Sequence, residues 1–355
     1  MTGAAPVVSV IMPAYNGAAL IGETLASVAA QSFPDFEVVV VDDCSTDATR
    51  EVVRAFPDTR IRLIEAPRNA GPVHARNLAL SHARGRYIAG LDQDDLCHAD
   101  RFARQVDVLD RRPATVLVAN AARTLTGGVV APSQMPAHTT PALIAWFINL
   151  LNPIVWSSVM IRGDAARGLE PFERADRLYA EDFDLYHRLS ALGDLERIDD
   201  ELVTYRCHAG GVSKRYAATM FASARAVLAQ AYDPVLGDAA EAAAALVVRH
   251  VVAADPVADR ATLRQLGEVL VRLQRHHLAA TRPNAEDEKL IKWQTARLWW
   301  RIGRHSVRSG TLGITDALSV RPDHLGLGHA GIDDLIVSGI VGRLRARRGH
   351  SAALR

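Results

Sequence analysis

Tyr87-Ile88-Ala89-Gly90-Leu91-Asp92-Gln93-Asp94-Asp95 is an uncharged apolar run that empties into three carboxylates. A short run of this kind, turned in by Gly85 and closed by acids, predicts a strand buried on both faces. Carboxylates crowded at its exit repel and raise one another's proton affinity unless a cation neutralises them. Mg²⁺ or Mn²⁺ suits them, because these ions take oxygen ligands and leave positions for substrate phosphates. A surface turn, or a cap for the segment starting near His98, would also tolerate the acids; the buried strand before them favours a site.

Working outward toward the N-terminus, Val7–Met12 and Glu37–Val41 are two further apolar runs, closed by Pro13 and by Asp42-Asp43. Between them Leu20, Ile21, Leu25, Val28 and Ala29 recur at helical spacing and stop at Ser32-Phe33-Pro34. A helix from Thr46 or Asp47 through Phe56, a strand at Ile61–Ile64 and a helix at Ala75–Ala83 follow. Strands alternating with helices predict an α/β fold with a mostly parallel sheet, whose ligands gather at the carboxyl ends of the strands. Those ends carry Pro13-Ala14-Tyr15-Asn16, Asp42-Asp43 and Asp92–Asp95. Ser45 or Asp47 suffices as an N-cap, which leaves an aspartate of the 42–43 pair free to accept from a nucleobase N–H. Arg76 opens a helix and could meet phosphate oxygens, although taken alone a surface ion pair is the better explanation. Glu181-Asp182 and Asp184 form an acidic first turn that the helix dipole favours in any case.

Beyond Arg101 a helix is expected to end near Pro113, followed by a strand at Val116–Asn120 and a loop over Thr124–Pro141. Val155–Arg162 reads as a strand, Glu181–Leu192 as a helix, and Leu195–Ile198 with Leu202–Tyr205 as a closing pair. The polar residues of Leu143–Ile161, among them Asn152, Ser157 and Ser158, argue against a membrane span. From Tyr216 onward the chain turns to Ala, Leu, Val and Arg at helical period. A catalytic domain over 1–215 and a helical region over 216–355 are therefore expected. At 355 residues, a net charge of +1 supports no nucleic-acid partner, and any anionic ligand must be held by local groups. Cys44, Cys97 and Cys207 are too few and too scattered for a disulfide framework, and Met1–Pro6 lacks a basic leader, so a cytoplasmic setting is expected. Lys292–Arg308, with Trp299, Trp300, Arg297, Arg301 and Arg304, fits better as a helix packing its tryptophans inward than as one lying on an anionic membrane; weak peripheral contact at the inner face is the accompanying expectation.

The chain resembles the family-two glycosyltransferases of the inverting type, which have the GT-A fold. The likeness is carried by Val8–Asn16, Ser27–Phe33, Val39–Asp47, Ala75-Arg76-Asn77, Gly85–Ile88, Leu91–Asp95, Glu181–Leu185 and Tyr205–His208, and covers about residues 7 to 215. The resemblance implies that Pro13, Ala14 and Tyr15 pack around the donor's nucleobase and that Asp43, with Asp42, reads it. It also implies that Arg76 lies near the donor, that Asp92 and Asp94 form the Asp-x-Asp motif, and that Asp94 and Asp95 meet ribose and metal. Asp182 takes the place of the general base, with Glu181 beside it. The implied partners are a nucleotide-diphosphate sugar and a carbohydrate or glycoconjugate acceptor. Cys44 departs from the pattern, replacing the glycine usual after the aspartate pair, and Cys97 stands where a bulkier residue is common. A nucleotidyltransferase would also use strand-end carboxylates and a metal, but would be expected to show a Gly-rich phosphate loop, which Pro13–Gly17 is not. A sugar-nucleotide-binding protein without activity is the non-enzymatic alternative, against which the retained Asp94, Asp95 and Asp182 argue.

Overall fold

The computed structural model describes residues 5–132, 135–208, 215–320, 322 and 335–341. Two compact units emerge: Met1–Ala145 with Asn152–Ser223, and Trp146–Leu151 with Ala224–Arg355. Ser223 Oγ donates to Leu178 O at 2.8 Å, which ties this part of the chain to the first unit.

In the first unit the elements run β1 (Val8–Ala14), α1 (Ile21–Ala29), β2 (Phe36–Asp42), α2 (Thr49–Ala55), β3 (Ile61–Glu65), α3 (Pro72–His82), β4 (Tyr87–Gly90), β5 (Leu96–Cys97) and α4 (Arg101–Arg111). They continue with β6 (Thr115–Thr126), β7 (Val129–Ala131), most of α5 (Pro141–Phe147), β8 (Met160–Arg162), α6 (Gly163–Arg167), α7 (Glu181–Ser190) and β9 (Asp194–Cys207). The sheet order is β3-β2-β1-β4-β8-β6-β9-β5, with β7 on β6, and the long parallel ladders β1/β2, β2/β3, β1/β4 and β6/β9 carry most of the pairing. Every residue of β2 and β4 is buried, as strands covered on both faces require. Arg101 is fully buried and donates to Gly90 O (3.0 Å) and Val159 O (2.9 Å), so one guanidinium pins the exit of β4 to the chain beside it. A Cβ at Gly90 would lie 2.8 Å from the Trp156 ring, so only glycine admits that ring at the site's edge.

Three local expectations give way to the structure. Val155–Arg162 is not one strand: Ser158 N and Oγ both bond Val155 O, winding Trp156–Ser158 into a 3₁₀ turn before β8. The pair Leu195–Ile198 and Leu202–Tyr205 is a single strand, because register shifts against β6 near Asn120–Ala122 absorb the intervening acids as bulges. Part of the loop expected over Thr124–Pro141 is a hairpin whose Gly127-Gly128 turn takes φ of +55° and +84°.

The second unit holds most of α8 (Ala217–Leu236), then α9 (Ala240–Val247), a π-helical turn at Val248–Val252, α10 (Arg260–Thr281), α11 (Ala285–Ser309) and α12 (Ile314–Ser319). Asp259 and Asn284 cap α10 and α11 by accepting from Thr262 N and Asp287 N. Leu263, Leu266, Leu270, Ile291, Trp299 and Ile302 form its apolar interior, so Trp299 is spent on packing. No described helix is long and apolar enough to cross a membrane.

Candidate active site

At the exit of β1, Pro13-Ala14-Tyr15 is fixed to the acidic loop through Gln93. Its amide accepts from Tyr15 N (3.0 Å) and donates to Tyr15 O (2.9 Å), and a Cβ at Gly17 would fall 2.0 Å from Gln93 Oε1. At the exit of β2, Asp43 accepts from Ala70 N (2.9 Å) and Gly71 N (2.8 Å), while Asp42 accepts from Ser45 N (3.0 Å). Both aspartates are buried and hold loops in place, which is a structural duty the sequence did not reveal. Cys44 lies between them and Ser45 at φ +61°, in the left-handed region, which is why glycine is the easier residue there.

Arg76 is the hub of the site. Its Nη2 donates to Asp92 Oδ1 (2.9 Å), its Nη1 to Glu181 Oε1 (2.9 Å) and, more distantly, to both oxygens of Glu173 (3.5 Å). The guanidinium lies 4.7 Å from the centre of the Trp156 ring and the residue is only 7% exposed. One buried cation therefore joins the acidic loop after β4 to the N-terminus of α7, at the price of bringing three carboxylates together. Glu173, fully buried, is held by its main chain: Asn77 Nδ2 donates to Glu173 O and Glu173 N donates to Asn77 Oδ1, each at 2.9 Å. Burial drives the Glu173 carboxyl well above its ordinary range, with Arg76 opposing and Glu181 and Asp182 adding to the rise.

Asp182 sits beside this cluster, its Oδ2 accepting from Asn152 Nδ2 at 2.9 Å and its Oδ1 from Phe183 N at 2.7 Å. Burial and then Glu181 raise its pKa from 3.8 to about 7, against the pull of Arg76. A carboxyl with that value is divided between acid and base near neutrality, as proton transfer requires. Asp94 is also raised, by burial and then Asp92, and faces His208 Nε2 at 2.8 Å from its Oδ2. Asp95 is fully buried: Oδ1 accepts from Arg206 N at 2.8 Å, Oδ2 has no hydrogen-bond partner among the described residues, and burial, Asp92 and Asp94 push its pKa well up. The side chain set against Asp94 is thus His208. Among the described residues no three acidic, histidine or cysteine side chains converge as a closed metal cage. A carboxylate with an imidazole and an orphaned carboxylate oxygen nearby suits an open site instead, in which phosphate oxygens complete the shell of Mg²⁺ or Mn²⁺.

Gln93, Asn77, Asn152, Ser157, Glu173 and His208 were not singled out from the sequence for these positions. Ser157 Oγ accepts from Asp92 N at 3.0 Å, so a residue of the turn before β8 supports the acidic loop.

A mostly parallel sheet whose strand exits bring acids and one arginine together, followed by a helical region, defines the GT-A type of α/β fold. Residues 9–161 match the family model described as Glycosyl transferase family 2. It is 47% identical over 115 residues to the succinoglycan biosynthesis protein ExoO of Rhizobium meliloti (strain 1021), covering 32% of this chain and 33% of that protein. The chain spans from a third to about half of the length of curated relatives that it matches. Among solved structures it resembles S. aureus TarS 1-349 in complex with UDP-GlcNAc, with a TM-score of 0.55 and 19% identity over 95% of this chain and 91% of that one. The mannosyltransferase PcManGT from Pyrobaculum calidifontis in complex with GDP-Man and Mn²⁺ gives 0.52 and 22% over 89% and 87%.

Proposed function

We propose that the first unit transfers a sugar from a nucleotide-diphosphate sugar to an acceptor hydroxyl with inversion, in polysaccharide or glycoconjugate synthesis. The observation that carries this reading is the Arg76 bridge, which brings Asp92 and Glu181, the neighbour of Asp182, to opposite ends of one guanidinium. ExoO is named for succinoglycan biosynthesis, and the TarS and PcManGT structures hold UDP-GlcNAc and GDP-Man with Mn²⁺, which supports the donor class.

In this reading Pro13, Ala14 and Tyr15 flank the nucleobase, with Asp42 and Asp43 at its hydrogen-bonding edge, and Arg76 and Asp92 border the diphosphate. Asp94 with His208 would hold the divalent cation, backed by Asp95, and the ion supplies charge neutralisation for the leaving diphosphate. Asp182, ionised, accepts the acceptor's hydroxyl proton as that oxygen bonds the anomeric carbon. The bond from that carbon to the phosphate oxygen breaks on the opposite face, and its electron pair leaves with the nucleoside diphosphate, so one displacement inverts the carbon.

The test is turnover of labelled nucleotide sugars, surveyed as a panel with and without Mn²⁺, in wild type and Asp182→Asn. Transfer or slow hydrolysis of one donor, lost in the variant while donor binding persists, is the expected result. Failure of every donor to bind, or an Asp182→Asn enzyme as active as wild type, would refute it.

A further inference from the structure

The helical unit contains a cavity of about 210 Å³ between the π-helical turn Val248–Val252, the segment after it and the C-terminal half of α11. Its lining is strongly cationic. Arg301, Arg304 and Arg308 recur at a spacing that puts them on one face of α11, and His305 and His250 join them. Asp255 is the single carboxylate in that lining among the described residues, and Arg249 Nε lies 3.6 Å from its Oδ2. Among the described residues neither Arg301 nor Arg308 forms an ion pair, so the lining carries more cationic than anionic side chains.

His250 gives the cavity a built wall. It is 4% exposed, and its Nδ1 lies 2.9 Å from Asp255 O. A carbonyl can only accept, so Nδ1 carries the proton and Nε2 is the ring atom left over, with no hydrogen bond among the described residues. Guanidinium forks gathered on one helix face are the donor set that matches a tetrahedral oxyanion. The volume is below the roughly 300 Å³ at which pockets begin to enclose drug-sized ligands, so a small anionic group fits and a whole sugar nucleotide does not.

We propose that this cavity binds a phosphate or diphosphate group, as a site separate from the transfer chemistry of the first unit. Two sources share that chemistry: free phosphate or diphosphate, and the headgroup of an anionic lipid. The second draws support from Ile336, Val337 and Ile340, which are 49%, 53% and 56% exposed, on a segment whose Gly339 sits 3.9 Å, measured from a Cβ built on it, from the side chain of Val307 beside Arg308.

The test is titration calorimetry of the full chain with inorganic diphosphate at constant ionic strength. Binding is expected in wild type, weakened tenfold or more in the Arg301→Glu/Arg308→Glu variant, and unchanged in Arg272→Glu, a charge reversal away from the cavity. The milder Arg308→Ala is measured alongside, with circular dichroism as the check on folding, and is expected to weaken binding severalfold. Phosphatidylglycerol vesicles that capture wild type but not the double variant, and release it to added diphosphate, assign the group to a lipid; diphosphate binding without vesicle capture assigns it to a free anion. No diphosphate binding by wild type, or undiminished binding by both α11 variants, overturns the proposal. Anion bound in the first unit would be insensitive to changes in α11, so failure of the transfer reading leaves this outcome legible.

Discussion

Replacing Arg76 by Met removes the one cation that, among the described residues, faces Asp92, Glu173 and Glu181 together. The side chain volume is roughly kept while the charge goes, so the effect reports on charge more than on packing. Taking one partner from a buried ion pair costs about 3–5 kcal/mol, because the remaining charges stay buried without compensation. For a unit of this size each kcal/mol is worth about 2–4 °C in melting temperature, so a fall of roughly 6–20 °C at pH 8 is expected by scanning calorimetry. The fall should shrink toward pH 5. Asp182 has its pKa raised from 3.8 to about 7 and Glu173 has its own raised well above 4.5, so lowering the pH protonates them and reduces the repulsion that Arg76 offsets. Linkage carries the same sign in wild type. The native chain keeps a proton on Asp182 that the unfolded chain has released, so this group's contribution to stability is full below about pH 4 and is lost as pH rises through about 7. Because Arg76 pulls the Asp182 pKa down, its removal must move the alkaline-going limb of the transfer rate to higher pH. A melting change under about 2 °C at pH 8, or an unmoved rate limb, would show that the guanidinium does not hold the cluster together.

Asp182→Asn should lower transfer by about 10²–10⁴ and abolish the rise in wild-type rate through pH 7, with donor affinity measured by calorimetry nearly unchanged. His208→Ala and Asp94→Asn should each raise the Mn²⁺ concentration needed for half-maximal turnover by roughly tenfold or more, whereas a metal held elsewhere would leave that midpoint in place. Glu37 reports on the opposite end of the sheet: burial alone would raise its pKa, yet hydrogen bonds from Arg84, Ser9 and Arg62 lower it from 4.5 to about 2. Its ionised form therefore stabilises the fold by on the order of 3 kcal/mol above pH 4.5, a contribution lost as pH falls toward 2; in urea denaturation Glu37→Gln should lose it at pH 7 and show a flatter acid limb.

The sheet and the acidic loop were legible because the signals are local. An uncharged run ending in carboxylates at Asp92–Asp95 states both the strand and its exit within nine residues. Glu173 gave no such signal. It follows Pro171 in a stretch without periodicity and meets Arg76 across 97 positions, so only the folded chain shows that the two belong together. His208 was within reach, as a lone imidazole one residue beyond a strand that ends at Cys207, but nothing local said that strand would finish beside Asp94. Gly127-Gly128 was legible as a hairpin turn, and the surrounding prolines drew attention to a loop instead.

Leu143–Ile161 shows how one observation can serve two readings. Its polar residues were weighed for what they exclude, since Asn152 and Ser157 would be stranded in hydrocarbon. In the folded chain those same residues are engaged at the site: Asn152 on Asp182, Ser157 beneath Asp92, and Trp156 against the Arg76 guanidinium. A polar group inside an apolar stretch must find a partner wherever the stretch is buried, and the partners available at a strand exit are the charged groups of the cleft. Polar residues in an apolar run between two acidic motifs are therefore a usable pointer to the side chains that position those motifs, and changing Asn152 to Ala should leave the Asp182 carboxylate without its amide donor and shift the rate limb upward, as the loss of a hydrogen bond to the ionised form requires.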